Sequence, residues 1–141
     1  MPCCPFIGIN NHNQSLQFGC GFVRDEKLES YKWLFTTFLE CMDGLAPMNI
    51  IMDQDFAMRG AIESVFPLAI HRHCRWHIFS KAEETLGTVF AANPELHQAF
   101  EVCVDHSLTP KEFDSSWMQM IEKYNMQENE TLANLWEIRT F

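Results

Sequence analysis

"IIMDQDFAMRGAIESVFPLAIHRHC", residues 50–74, decides how this chain is read. The short apolar run MNIIM (48–52) has the length and character of a strand, and two acids, Asp53 and Asp55, follow it directly. DFAMRGAIESVF (55–66) then takes helical spacing, with Met58, Ala61, Ile62 and Val65 on one face and Pro67 as the stop. LAIHRHC (68–74) reads as a further strand. Asp55 has the place and chemistry of a helix N-cap. Asp53 projects from a strand end beside a helix start, which is where open α/β sheets build their sites. A hard cation such as Mg²⁺ takes one or two such carboxylates with waters and substrate phosphates. Two-metal phosphoryl transfer needs several carboxylates converging from different strands. Pattern alone favours a turn role for Asp53, because Asp commonly ends a strand.

Cys74 and His77 form C-x-x-H, two donors where a zinc site needs four, or three with a water. His71 and His73 add to the count, but along a strand they point to one face and Cys74 to the other. No second C-x-x-C or H-x-x-H accompanies them. The pattern therefore favours Cys74 and Trp76 as core residues and His77 as the start of a helix. Cys3-Cys4 lacks metal-ligand spacing, and neither Cys20 nor Cys74 carries the local signature of a catalytic thiol.

Upstream, PFIGIN (5–10) and SLQFGCGFV (15–23) flank NHNQ, the pattern of an antiparallel hairpin. Gly8, Gly19 and Gly21 signal a bulge or a close approach there. DEKLESYKWLFTTFLECMDG (25–44) is helical, with Leu28, Tyr31, Leu34, Phe35, Phe38 and Met42 on one face, Asp25 as the expected cap and Gly44 past the end. From residue 78 onward the pattern is helical throughout. One helix opens on Asn93-Pro94 and another on Thr109 with Glu112, a capping-box spacing. ETLANLWEIRTF (130–141) is a third, and Met118, Met120 and Met126 read as core filler. Strands interleaved with helices, then helices alone, predict an α/β core with an appended helical unit.

The chain has 141 residues, enough for a real core, and no apolar run of membrane-spanning length, so no membrane partner is expected. Six irregularly spaced cysteines in a core-rich chain point to a reducing compartment. The net charge is −9. Residues 1–77 carry six Lys/Arg and eight Asp/Glu; residues 78–141 carry four and eleven. Nucleic-acid binding is dominated by neutralising phosphate, so this acidic chain is by itself a poor DNA binder.

In order, PFIGINNHNQSLQFGCGFV, IIMDQDFAMRGAIESVFP, HRHCRWHI and LTPKEFDSSWMQMIEKYN resemble the transposase-derived domain of plant FAR-RED IMPAIRED RESPONSE-related proteins, which are similar to Mutator-like-element (MULE) transposases. The resemblance covers almost the whole chain. It implies a partial RNase H-like core, a mixed sheet with flanking helices, over residues 1–77, followed by a helical insertion over 78–141. In such transposases three acids hold two metal ions and cut DNA. By motif position Asp53 is the second acid and an ancestral Mg²⁺ ligand, while Cys74 and His77 match the family's C-x-x-H. The first acid is expected upstream of Met1 and the third beyond the helical insertion. Glu112, Glu122 and Glu137 each have a structural reading instead. A zinc finger before this region and a SWIM zinc finger after it, both expected in full-length relatives with Zn²⁺, are not in this sequence. The sequence GINNHNQ (8–14) also departs from the relatives' usual wording.

The resemblance further implies a fragment or remnant of a domesticated transposase. Its role would be a non-catalytic scaffold in light-signalling transcription regulation in the nucleus. DNA would be reached through domains outside this sequence, and oligomers would form with related proteins. The competing expectation is a Mg²⁺-dependent DNA transposase or nuclease domain within a longer protein.

Overall fold

The computed structural model describes residues 1–141 and divides into two compact units, Met1–Cys74 and Arg75–Phe141. The first unit runs β1 (Cys3–Ile9), β2 (Ser15–Phe22), α1 (Leu28–Cys41), β3 (Asn49–Met52), α2 (Phe56–Val65) and β4 (Ile70–His73). The second is helical: α3 (Arg75–Ala92), α4 (Pro94–His106), α5 (Pro110–Lys123) and α6 (Glu130–Glu137).

β1 and β2 form an antiparallel hairpin. The Asn10 side chain shapes its turn by accepting from the His12 and Gln14 amides at 2.9 and 3.0 Å. Phe6 faces Gly19 but Ile7 faces Gln17, so Phe18 is the extra residue of a bulge. Its ring occupies the space a side chain at Gly8 would need. Gly21 serves a second close approach, because a Cβ there would run into the Leu34 side chain of α1.

β3 and β4 pair in parallel, with Met52 opposite His73, and α2 is the crossover between them. The four strands make two separate two-stranded sheets, where a single mixed sheet was expected. β1 and β3 each keep one edge without a strand partner, and no strand of residues 1–141 pairs with both. The α/β class holds.

Both sheets contribute to one core with the helices of this unit. Val23, Tyr31, Leu34, Phe35, Met52, Ala61, Ile62 and Phe66 are buried together, with Cys4, Phe6 and Ile50 packed against them. Phe6 stacks on Phe38 with ring centroids 4.1 Å apart. α1 starts at Leu28, two residues later than a cap at Asp25 would give. Lys27 occupies the cap position, where its ammonium offers the helix amides no acceptor, while Asp25 accepts from the Ser30 hydroxyl at 2.6 Å. That bond holds the Asp25 carboxyl below the usual range. The helix closes in a Schellman arrangement: the Gly44 amide reaches the Leu39 carbonyl, the Asp43 amide that of Glu40, and Asp43 takes φ +53°.

The helical unit has its own core around Leu86, Phe90, Leu96, Phe100, Cys103, Trp117, Met120 and Leu132. Asn93, Thr109 and Asn129 cap α4, α5 and α6 through their side chains. The Glu112 carboxylate accepts from the Leu108 amide, completing the box one residue further out than expected. Two apolar residues read as core lie outside it: Met118 is half-exposed and Trp76 is 66% exposed in the first turn of α3. Trp76 flanks the stripe of Phe79, Ala82 and Leu86 at the first turn of α3, one turn before Phe79, the first of the three.

Candidate functional site

The parallel pair β3–β4 sets the geometry. Asp53 is the first residue past β3, half-buried, and its carboxylate accepts from the Asp55 amide at 3.3 Å. Asp55 is committed to structure. Its Oδ1 accepts from the Met58 amide at 2.6 Å, capping α2. Of the two acids after the strand, one therefore holds the helix and the other is left for chemistry.

His73, the last residue of β4, reaches back to the same strand end. Its Nδ1 lies 3.1 Å from the Asp53 carbonyl oxygen. A carbonyl only accepts, so Nδ1 carries the proton and the tautomer is fixed. Burial pushes the His73 pKa down, against an upward pull from that same carbonyl. His71, two residues earlier on the same face, is buried and lowered as well, first by burial and then by His73. The two rings meet edge to face at 5.4 Å. Both imidazoles are therefore neutral at physiological pH.

Tyr31 of α1 completes the surroundings. Its phenol is pushed up to about 12 by burial, with the carboxylates of Asp55, Glu26 and Asp53 adding to it. Sequence reading placed Tyr31 in the core and saw nothing more. The reach of those charges to Tyr31 depends on how α1 packs against α2, which no local pattern encodes.

The donor set does not fit a metal-dependent nuclease within this chain. No three His, Cys, Asp or Glu residues come together in a way that could hold a metal ion. Asp53 supplies a single carboxylate, and Asp55 is engaged as a cap. The acids weighed as alternatives belong to the helical unit: Glu112 to its capping box, Glu122 and Glu137 to exposed helix faces. Zn²⁺ fares no better. Cys74 is half-buried at the end of the first unit, and His77 is exposed on α3 with its ring edge-on to Trp76 at 4.8 Å. These residues support no step through either metal.

A strand-end acid followed by a capped crossover helix defines the first unit as an α/β domain that presents one carboxylate at the end of a parallel strand. The chain belongs to the MULE transposase domain family, whose model matches residues 1–81. The chain is similar to several Arabidopsis thaliana proteins. Protein FAR1-RELATED SEQUENCE 5 is 37% identical over 99% of this chain and 18% of its own length. Protein FAR1-RELATED SEQUENCE 12 is 37% identical over 99% of this chain and 17% of its own length. Protein FAR-RED IMPAIRED RESPONSE 1 is 34% identical over the same shares, 99% and 17%. The chain thus spans less than a fifth of the length of these three relatives. No solved structure matches it. No helix is long and apolar enough to cross a membrane.

Proposed function

We infer that this chain is the transposase-derived segment of a FAR1-related regulator of transcription, acting in the nucleus as a non-catalytic scaffold. The observation that carries this reading is the division of labour between the two acids. Asp55 is spent on capping α2, which leaves Asp53 as the one strand-end carboxylate, and a two-metal site needs several. In this reading Asp53 is the retained second acid of an ancestral RNase H-like triad, and residues 78–141 are the helical insertion. Cys74 and His77 keep the family's C-x-x-H as a strand-to-helix passage.

The net charge of −9 supports a division of roles along the longer protein. This segment repels phosphate, so DNA contact falls to other domains, and this segment supports assembly with related chains or other proteins. A far-red response, named in one relative, is the process in which that role fits.

The test is DNA cleavage with Mg²⁺ or Mn²⁺ by this chain and by the longer protein, each with and without Asp53→Ala. The scaffold reading expects no metal-dependent cleavage from either. Cleavage by the longer protein that disappears in Asp53→Ala would replace it with the transposase reading, since Asp53 carries no capping duty that would confound the variant.

A further inference from the structure

The hairpin holds a pair of thiols outside the strand-end cluster. Cys3 opens β1 opposite Phe22, and Cys20 lies on β2 opposite Pro5. The two cysteines are diagonal neighbours on one face of the pair, and their Sγ atoms are 3.1 Å apart. Both side chains are exposed. Cys4 is adjacent in sequence but alternates to the other face, where it packs against the core formed with α1 and α2. Strand alternation thus selects Cys3 over Cys4 as the partner of Cys20. A disulfide has sulfurs about 2.05 Å apart. Closing the gap asks for roughly 1 Å of movement, at the first residue of a strand whose outer edge is unpaired.

We propose that Cys3 and Cys20 form a reversible disulfide that ties the first residue of β1 to β2, making the hairpin a site of oxidative modification. The oxidant is a small-molecule disulfide of the glutathione class. One protein thiolate attacks it, forming a mixed disulfide and releasing one small thiol. The second protein thiol, as thiolate, displaces the other small thiol and forms the Cys3–Cys20 bond. Two S–H bonds are lost and one S–S bond is gained in the protein. The two electrons reduce the oxidant to two thiols, which take up the two protons. The contact between the sulfurs pushes the Cys20 pKa up, and burial does the same for Cys4. Cys103 is buried and pushed up to about 11, so it stays out of the exchange.

The experiment incubates the purified chain in buffers of graded oxidised-to-reduced glutathione ratio, quenches with acid, and alkylates the remaining thiols. Mass spectrometry then reads the tryptic peptide covering residues 1–24, which holds Cys3, Cys4 and Cys20 and ends at the first Lys or Arg. The proposal expects the peptide to lose two alkylation sites and two hydrogens as the buffer becomes oxidising. This change should persist in Cys4→Ser and be lost in Cys3→Ser and in Cys20→Ser. Reduction by dithiothreitol should restore all three sites. Three alkylated thiols at the most oxidising ratio would overturn it. So would a bridge that survives in Cys20→Ser, or one that requires Cys4. Circular dichroism of each variant confirms that exposed serine replacements keep the fold, so loss of the bridge is read as loss of its sulfur.

Discussion

Replacing Asp55 and Asp53 one at a time separates the acid that builds the fold from the acid left for chemistry. Asp55→Ala removes the Oδ1 bond to the Met58 amide and a negative charge at the start of α2. Loss of such a cap costs about 1 kcal/mol, within roughly 0.5–2. The charge beside the helix N-terminus contributes another ~0.3–1 kcal/mol. The expected cost is therefore ~1.5 kcal/mol for Asp55→Ala and ~0.5 for Asp55→Asn, which keeps the acceptor. Asp53→Ala loses the 3.3 Å contact with the Asp55 amide and the carboxylate's charge near His73 and Tyr31, and a change of about ±0.5 kcal/mol is expected. With a urea slope of ~1–3 kcal/mol/M, Asp55→Ala lowers the unfolding midpoint by ~0.5–1.5 M. Urea titration followed by far-UV circular dichroism, with hydrogen exchange of the α2 amides, reads both effects. If Asp53→Ala costs more than Asp55→Ala, or Asp55→Ala leaves the midpoint unmoved, the assignment of the cap is wrong. The case against a two-metal site would lose its main support with it.

Gly21→Val drives a branched side chain into Leu34, and overpacking of this kind costs ~1–3 kcal/mol; the reading fails if the urea midpoint stays at the wild-type value. Phe100→Ala leaves a cavity in the helical core at ~3–5 kcal/mol, and hydrogen exchange should speed up in α3–α6 far more than in α1 and α2. Uniform acceleration would show that the two units unfold as one. His71 and His73 sit below the usual histidine range because of burial, so the unfolded chain binds more protons than the folded one as pH drops below about 6.5. Their contribution is fully present above the unfolded pKa and is lost as pH falls through that region towards the folded values. Stability measured by urea should thus decline from about pH 7.5 to about pH 5.5, and His71→Gln should flatten that slope; an unchanged slope in the variant would contradict the shift.

The strands, the helices and their caps were legible in the sequence wherever local chemistry decides them. Asn93-Pro94, Thr109 and Asp55 all act within four residues of themselves, and each caps as its spacing says, with Glu112 reaching one residue past Thr109 to the Leu108 amide. The membership in the MULE family was legible too, because it rests on the order of several blocks over nearly the whole chain. Asp25 shows the limit: its carboxylate takes the Ser30 hydroxyl, five residues on, and the helix starts after Lys27 instead. Trp76 shows another, since an aromatic one turn before Phe79 is exposed at the start of α3, where burial depends on what packs over the helix end and not on spacing.

Tertiary structure alone decided that four strands pair two by two and that Tyr31 comes within reach of the strand-end charges. It also decided that Cys20 meets Cys3 rather than Cys4. These depend on register and on contacts between residues far apart in the chain. A one-residue slip in a strand would exchange the faces of Cys3 and Cys4 while leaving the composition, the periodicity and the motif order unchanged.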